Sequence, residues 1–306
     1  MKNIAFFPLC LSMLLLMSCN QQSTAPLQGT DVGFTFAFIT DLHLQPEREA
    51  VEGTLQAIDT INRINPDFVI TGGDLIMDAL GKSWERADSL YKLYDATIDN
   101  LKVPVYNTMG NHEIYGIYNV SGADRNHPEF GEKIFEKRIG RKYYSFDHKG
   151  WHFMIIDSVD ETEEGNAYEG NVGEEQMEWI REDLKNVDAS TPIIISTHIP
   201  MATVFHNITS DPLKANAPNI VIRNTPEVLE LFENHNLKLV LQGHMHILEE
   251  IEVNGVTFIT AGAISGRWWT GPYLGVEEGF VLVHTHGDDF TWEYVDYGWH
   301  GEKYRE

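Results

Sequence analysis

Cysteine is nearly missing from this chain of 306 residues: Cys10 and Cys19 are the only two. Both fall near the start, so the remainder can carry neither a disulfide framework nor a thiolate metal site. Basic residues are scarce too, 22 Lys and Arg against 46 Asp and Glu, for a formal net charge of −24. That balance excludes binding a nucleic-acid duplex by charge attraction, because a phosphate backbone needs a basic face. It leaves room for a small phosphorylated substrate if metal cations bring local positive charge. With 42% apolar residues the chain can bury one α/β core of ordinary size.

The N-terminus reads as a targeting segment. Lys2 precedes an apolar run from Ile4 to about Met17, and no acid appears before Asp31. The run is short for a bilayer span but suits the core of a secretory signal. Its end, Leu16-Met17-Ser18-Cys19, resembles a bacterial lipoprotein signal, in which the cysteine becomes the lipidated first residue. Ordinary signal cleavage and a retained anchor are the competing readings. The expectation is a signal over 1–18, a polar linker over 19–30 and a folded domain over 31–306. The protein is then exported, periplasmic or at the cell surface, and held to a membrane by a lipid on Cys19.

After the linker, apolar strand-forming runs alternate with helical periodicity. Phe34 to Thr40, Asp67 to Thr71, Val103 to Met109, Pro192 to Thr197 and Leu237 to Leu241 read as buried strands. Helices are expected from Pro46 to about Ile64, Ser83 to Asn100, Glu174 to Asn186 and Pro226 to His235. The alternation predicts βαβ units and a mostly parallel sheet, with ligand sites at the carboxyl ends of strands. A hairpin over Tyr143–Asp147 and Trp151–Asp157, and an all-β end after Ile247, predict a second sheet. The fold class expected is α/β, a four-layer α/β/β/α sandwich of two mixed sheets flanked by helices. Residues 113–141 break the pattern and read as an insertion over the site.

Each of the five strands stops at metal-ligand residue types. In order they are Asp41-Leu42-His43, Gly73-Asp74, Gly110-Asn111-His112-Glu113, Thr197-His198 and Gly243-His244-Met245-His246. Imidazole and carboxylate together suit Zn, Fe, Mn and similar cations. Taken in unbroken order, the blocks resemble the calcineurin-like metallophosphoesterases. The resemblance implies one divalent metal ion (Mn, Fe or Zn) on Asp41, His43, Asp74 and His246. A second would sit on Asp74, Asn111, His198 and His244, with Asp74 bridging. It further implies a phosphoesterase in which a hydroxide shared by the metals attacks phosphorus, and in which His112 serves the leaving alkoxide.

Two departures from relatives narrow the reading. Met77 stands where purple acid phosphatases carry a metal-bound tyrosine, which argues against a charge-transfer iron site. Asp78 lies one residue beyond the acid that supports the catalytic histidine in the protein phosphatase branch. An Asp78–His112 pairing is therefore not expected, and because the Arg-bearing motifs of that branch are not recognisable, neither is a phosphoprotein substrate. The loop bearing Arg267, Trp268 and Trp269, with His206, supplies candidate substrate contacts: a guanidinium grips phosphate and an indole stacks on a base. The plain alternative is that the tryptophans plug a sheet edge. A phosphodiester or nucleotide-like substrate is favoured, with a phosphomonoesterase or pyrophosphatase as alternative. A non-catalytic surface-binding lipoprotein is the alternative of another class.

Overall fold

Residues 33–301 are described by a computed structural model. The signal, the linker and Cys19 lie outside the described residues. The first half of the fold runs β1 (Thr35–Ile39), α1 (Ala50–Ile64), β2 (Phe68–Thr71), α2 (Trp84–Ile98), β3 (Val105–Asn107), α3 (Lys133–Arg138), β4 (Tyr144–His148) and β5 (Trp151–Ile155). Then come β6 (Val159–Glu161), β7 (Tyr168–Gly170), α4 (Glu174–Leu184), β8 (Pro192–Ser196), α5 (Phe205–Thr209), α6 (Thr225–Glu230) and β9 (Asn236–Gln242). The chain closes with β10 (Glu249–Val253), β11 (Val256–Thr260), β12 (Gly279–His286) and β13 (Asp289–Asp296).

Two mixed sheets result. One has the order β13-β12-β1-β2-β3, the other β10-β11-β9-β8-β5-β4. β1, β2 and β3 are mutually parallel, as are β5, β8, β9 and β11. The antiparallel β12–β13 hairpin closes one edge of the first sheet, and β10 and β4 flank the second.

Alternation along β1 explains why its run is apolar throughout. Phe36 and Phe38 face a core between the sheets with Phe68, Phe153, Leu239 and Val281. Ala37 and Ile39 face the opposite core with helix residues such as Ala57, Ile61 and Leu90. A strand covered on both faces has no polar face to show. The aromatic part of the inter-sheet layer is tightly stacked, with Phe36 and Phe68 centroids 5.1 Å apart and the rings nearly parallel. This is the expected four-layer sandwich.

Differences from the sequence reading have local causes. α1 begins at Ala50 rather than Pro46, because Arg48 and Glu49 adopt left-handed φ of 58° and 56°. α6 ends at Glu230 rather than His235; the N–H groups of Leu231, Phe232 and His235 reach back three residues, tightening the chain into turns. The insertion closes on itself through paired backbone bonds between Tyr115 and Gly131, and it contains α3. The β6–β7 hairpin, three residues a side, was not foreseen.

Candidate metal centre

The carboxyl ends of β1, β2, β8 and β9, with the loop after β3, meet at one place. Backbone bonds lace the first two loops together: Asp41 N–H to Gly73 O at 3.0 Å and His43 N–H to Asp74 O at 2.9 Å. Asp41, His43, Asp74, His244 and His246 all take positive φ, between 43° and 71°. That region costs an L-residue roughly 1–2 kcal/mol. The turn is what swings each side chain off its strand and inward. Gly73, at φ 90°, lies so close to His198 that a Cβ there would come within 2.6 Å of the imidazole.

The inward side chains form two groups that share Asp74. His43 Nε2 lies 3.0 Å from His246 Nε2, and the Asp41 Oδ1 oxygen is 3.3 Å from His246 Nε2. Asp74 turns Oδ2 to this group, 3.7 Å from His43 Nε2, and Oδ1 to the other, 3.2 Å from His198 Nε2. In that second group His198 Nε2 lies 3.1 Å from Asn111 Oδ1 and 3.2 Å from His244 Nδ1. Asp41, His43, Asn111 and His198 are fully buried or nearly so, as are Asp74 and His246.

Backbone carbonyls fix which nitrogen points inward. His246 Nδ1–H donates to Gly266 O at 2.6 Å, His198 Nδ1–H to Gly72 O at 2.8 Å and His244 Nε2–H to Asn219 O at 2.9 Å. The other nitrogen of each ring then faces the cluster: His246 Nε2 meets Asp41 Oδ1, His198 Nε2 meets Asp74 Oδ1 and Asn111 Oδ1, and His244 Nδ1 meets His198 Nε2, as the rings of metal-ligating histidines are held. Asp41 Oδ1 and His43 Nδ1 are buried with no hydrogen-bond partner. Acceptors facing acceptors call for cations, and this N/O donor set without thiolate fits Mn, Fe or Zn.

Charge follows the same logic. Burial opposes ionisation of Asp41, but His246 and His198 hold its carboxyl down at about 2. Burial likewise disfavours the His198 cation, yet Asp74 lifts its imidazolium to about 9, a proton occupying the place a cation would take. Burial and the neighbouring His198 push His244 down to about 4, leaving its ring neutral.

His112 stands beside both groups. Its Nδ1 is bonded to the Met77 carbonyl, and its Nε2 lies 3.8 Å from Asp74 Oδ2. Asp78 takes no part; it accepts from Leu80 N–H and pairs with Lys82. The expected lack of an Asp78–His112 pair holds, and a backbone carbonyl does the orienting instead.

Glu113 went unread beyond its place in the motif. Its carboxylate is fully buried and accepts four backbone N–H groups. Oε2 takes Gly110 at 2.7 Å and Asp74 at 2.9 Å; Oε1 takes Leu75 at 2.8 Å and Ile76 at 3.2 Å. It clamps the Asp74 loop to the Asn111 loop. Tyr168 on β7 was also missed; its ring is 6.2 Å from His244.

The loop after β11 divides its residues. Trp268 is half-buried, its ring 4.7 Å from His246 and 5.9 Å from His43. Trp269 corrects the expectation of a substrate contact: it is 2% exposed, and its indole N–H reaches the Leu42 and His43 carbonyls. Arg267 is exposed beside Trp268, and His206 sits on α5 with its ring against Phe205. Tyr115 is buried in the helix-side core.

Residues 34–248 match the calcineurin-like phosphoesterase family. The chain is 22% identical over 246 residues to a probable cyclic nucleotide phosphodiesterase of Xenorhabdus bovienii, covering 76% of this chain and 87% of that one. It is 26% identical over 196 residues to the manganese-dependent ADP-ribose/CDP-alcohol diphosphatase of Mus musculus, covering 60% of this chain and about half, 54%, of the mouse protein. Its fold resembles that of a dimetal phosphatase from Danio rerio, with TM-score 0.58 and 17% identity over 87% of this chain and 99% of that one. Fold, paired ligand groups and family match agree: the chain belongs to the calcineurin-like phosphoesterases and is a metal-dependent phosphoric ester hydrolase.

Proposed function

We propose that the enzyme hydrolyses a small phosphodiester or nucleotide-like substrate at a pair of divalent cations. Asp41, His43, Asp74 and His246 hold one cation; Asp74, Asn111, His198 and His244 hold the other. The observation that carries this reading is Asp74, whose two oxygens face different histidines, His43 and His198. Bound there, two cations supply Lewis-acid polarisation of the phosphoryl group and make water a competent nucleophile at neutral pH.

The chain's own groups do the rest. Backbone carbonyls hold His198, His244 and His246 in one tautomer, so no ring must turn during the reaction. Met77 O anchors His112 Nδ1–H, which leaves Nε2 to deliver a proton to the departing alkoxide. Two relatives supply the substrate class by analogy, one named for cyclic nucleotides and one for diphosphate linkages. The second likeness keeps a nucleoside diphosphate bond as the alternative substrate.

Export and lipid attachment through Cys19 belong to the same proposal, supported by the apolar run before it. No helix among the described residues is long and apolar enough to cross a membrane. The deciding experiment is hydrolysis of bis-p-nitrophenyl phosphate against p-nitrophenyl phosphate, after chelation and with Mn, Zn or Fe restored. Preference for the diester supports the proposal, and preference for the monoester overturns it.

A further inference from the structure

Two consecutive tryptophans in the left-handed region are uncommon, because a bulky side chain there strains the backbone. Trp268 has φ 49° and Trp269 φ 67°. For Trp269 the compensation is plain. Its ring fills a notch above Gly53, where a Cβ would come within 2.1 Å of the indole, and its N–H satisfies two carbonyls of the Asp41–His43 loop.

Trp268 is held differently and stays half-buried. Its carbonyl is gripped by the Arg48 guanidinium at 3.0 Å, so its position is fixed. Its half-buried ring stands beside two proposed metal ligands, 4.7 Å from His246 and 5.9 Å from His43. Tyr273 braces it at 6.1 Å, nearly edge-on. His43 also carries the His112 ring at 4.6 Å, so the indole and the proposed proton donor pack on the same imidazole. A fixed indole that close to the proposed metal ligands offers a stacking face within one nucleotide's reach of them.

We infer that Trp268 is a specificity-determining residue: its indole stacks on the nucleobase of the substrate, with Trp269 as the buried anchor that aims it. The inference rests on the dimetal phosphoesterase reading and deepens it, selecting nucleotides over phosphate esters without a base. Stacking on an aromatic side chain is worth on the order of tenfold in affinity or more.

The test measures binding of AMP and of ribose 5-phosphate to the manganese-loaded full chain, in wild type, Trp268→Phe and Trp268→Ala. Wild type should bind AMP at least roughly tenfold more tightly than ribose 5-phosphate. Trp268→Phe should keep most of that preference but lose the quenching of tryptophan fluorescence that AMP causes in wild type. Trp268→Ala should bind the two ligands about equally. Unchanged ribose 5-phosphate affinity across the three proteins shows that fold and metal site survive. Equal binding of both ligands by wild type, or an AMP preference that persists in Trp268→Ala, overturns the inference. Should bis-p-nitrophenyl phosphate hydrolysis proceed normally alongside that result, only the role of Trp268 falls. If the loaded wild type hydrolyses no phosphate ester at all, the functional reading falls, and this inference with it.

Discussion

Replacing Glu113 by glutamine keeps size and shape and changes only hydrogen-bond polarity. In wild type both carboxylate oxygens accept, two N–H groups each, from the Gly110, Asp74, Leu75 and Ile76 amides. An amide group must place its NH2 against one of these pairs, whichever way it is turned, because it offers a single acceptor oxygen. Two buried backbone donors are then orphaned, at about 1–3 kcal/mol each. The summed cost, roughly 2–6 kcal/mol, is a large share of a total stability of about 5–15 kcal/mol. For a domain of this size it lowers Tm by roughly 5–20 °C. Burial and the charge of Asp74 push the Glu113 carboxyl up to about 8, a charge penalty that glutamine escapes and that offsets part of the stability loss, so metal affinity is the deciding readout. Thermal unfolding of metal-free protein reads the stability, and calorimetric titration with Mn reads the site. The clamp positions Asp74 and Asn111, so metal affinity should fall about 10- to 100-fold. A Tm within about 1 °C of wild type together with unchanged metal affinity would refute the reasoning.

Three further outcomes follow from the geometry. Removing the His112 imidazole (His112→Ala) should lower kcat about 10²- to 10⁴-fold for alkyl leaving groups and much less for p-nitrophenol, which needs no proton; equal loss for both removes the acid role. Gly53→Ala puts a methyl into the Trp269 ring, which is backed by the Leu42 and His43 carbonyls, and should cost about 1–3 kcal/mol in denaturant unfolding; a neutral result would mean the notch can open. Burial, then the nearby Asp157, raises Glu132 from 4.5 to about 7 despite Lys142. An acid raised in the folded state contributes stability that is full below its ordinary value and lost as pH rises through the raised one. Wild type should therefore lose stability between about pH 4.5 and 7 in urea unfolding, and Glu132→Gln should flatten that loss; parallel curves would contradict it.

The ligand set was legible because the chemistry demands particular residue types and the fold puts them after unmistakable strands. Asp41, Asp74, His198 and His244 each follow an apolar run that could hardly be anything else. The clamp was not legible, since Glu113 meets only backbone, and backbone N–H groups carry no sequence signature. The same holds for the carbonyls of Met77, Asn219 and Gly266, which orient three histidines. Met77 illustrates the point: sequence could say that Asp78 was misplaced to support His112, but not that a neighbouring carbonyl would. Trp268 and Trp269 were indistinguishable as letters, because one left-handed turn decides which indole enters the core. β6 and β7 are too short and too polar to show period-two alternation, so Tyr168 stayed hidden.

The claim at the centre of this account is that Asp74 joins two cation sites. Metal content after equilibrium dialysis against Mn tests it directly, in wild type, Asn111→Ala, His43→Ala and Asp74→Ala. The account predicts about two ions per chain for wild type, about one for each of the two outer-ligand variants and essentially none for Asp74→Ala. About one ion per chain in wild type, or two retained without Asp74, would contradict it.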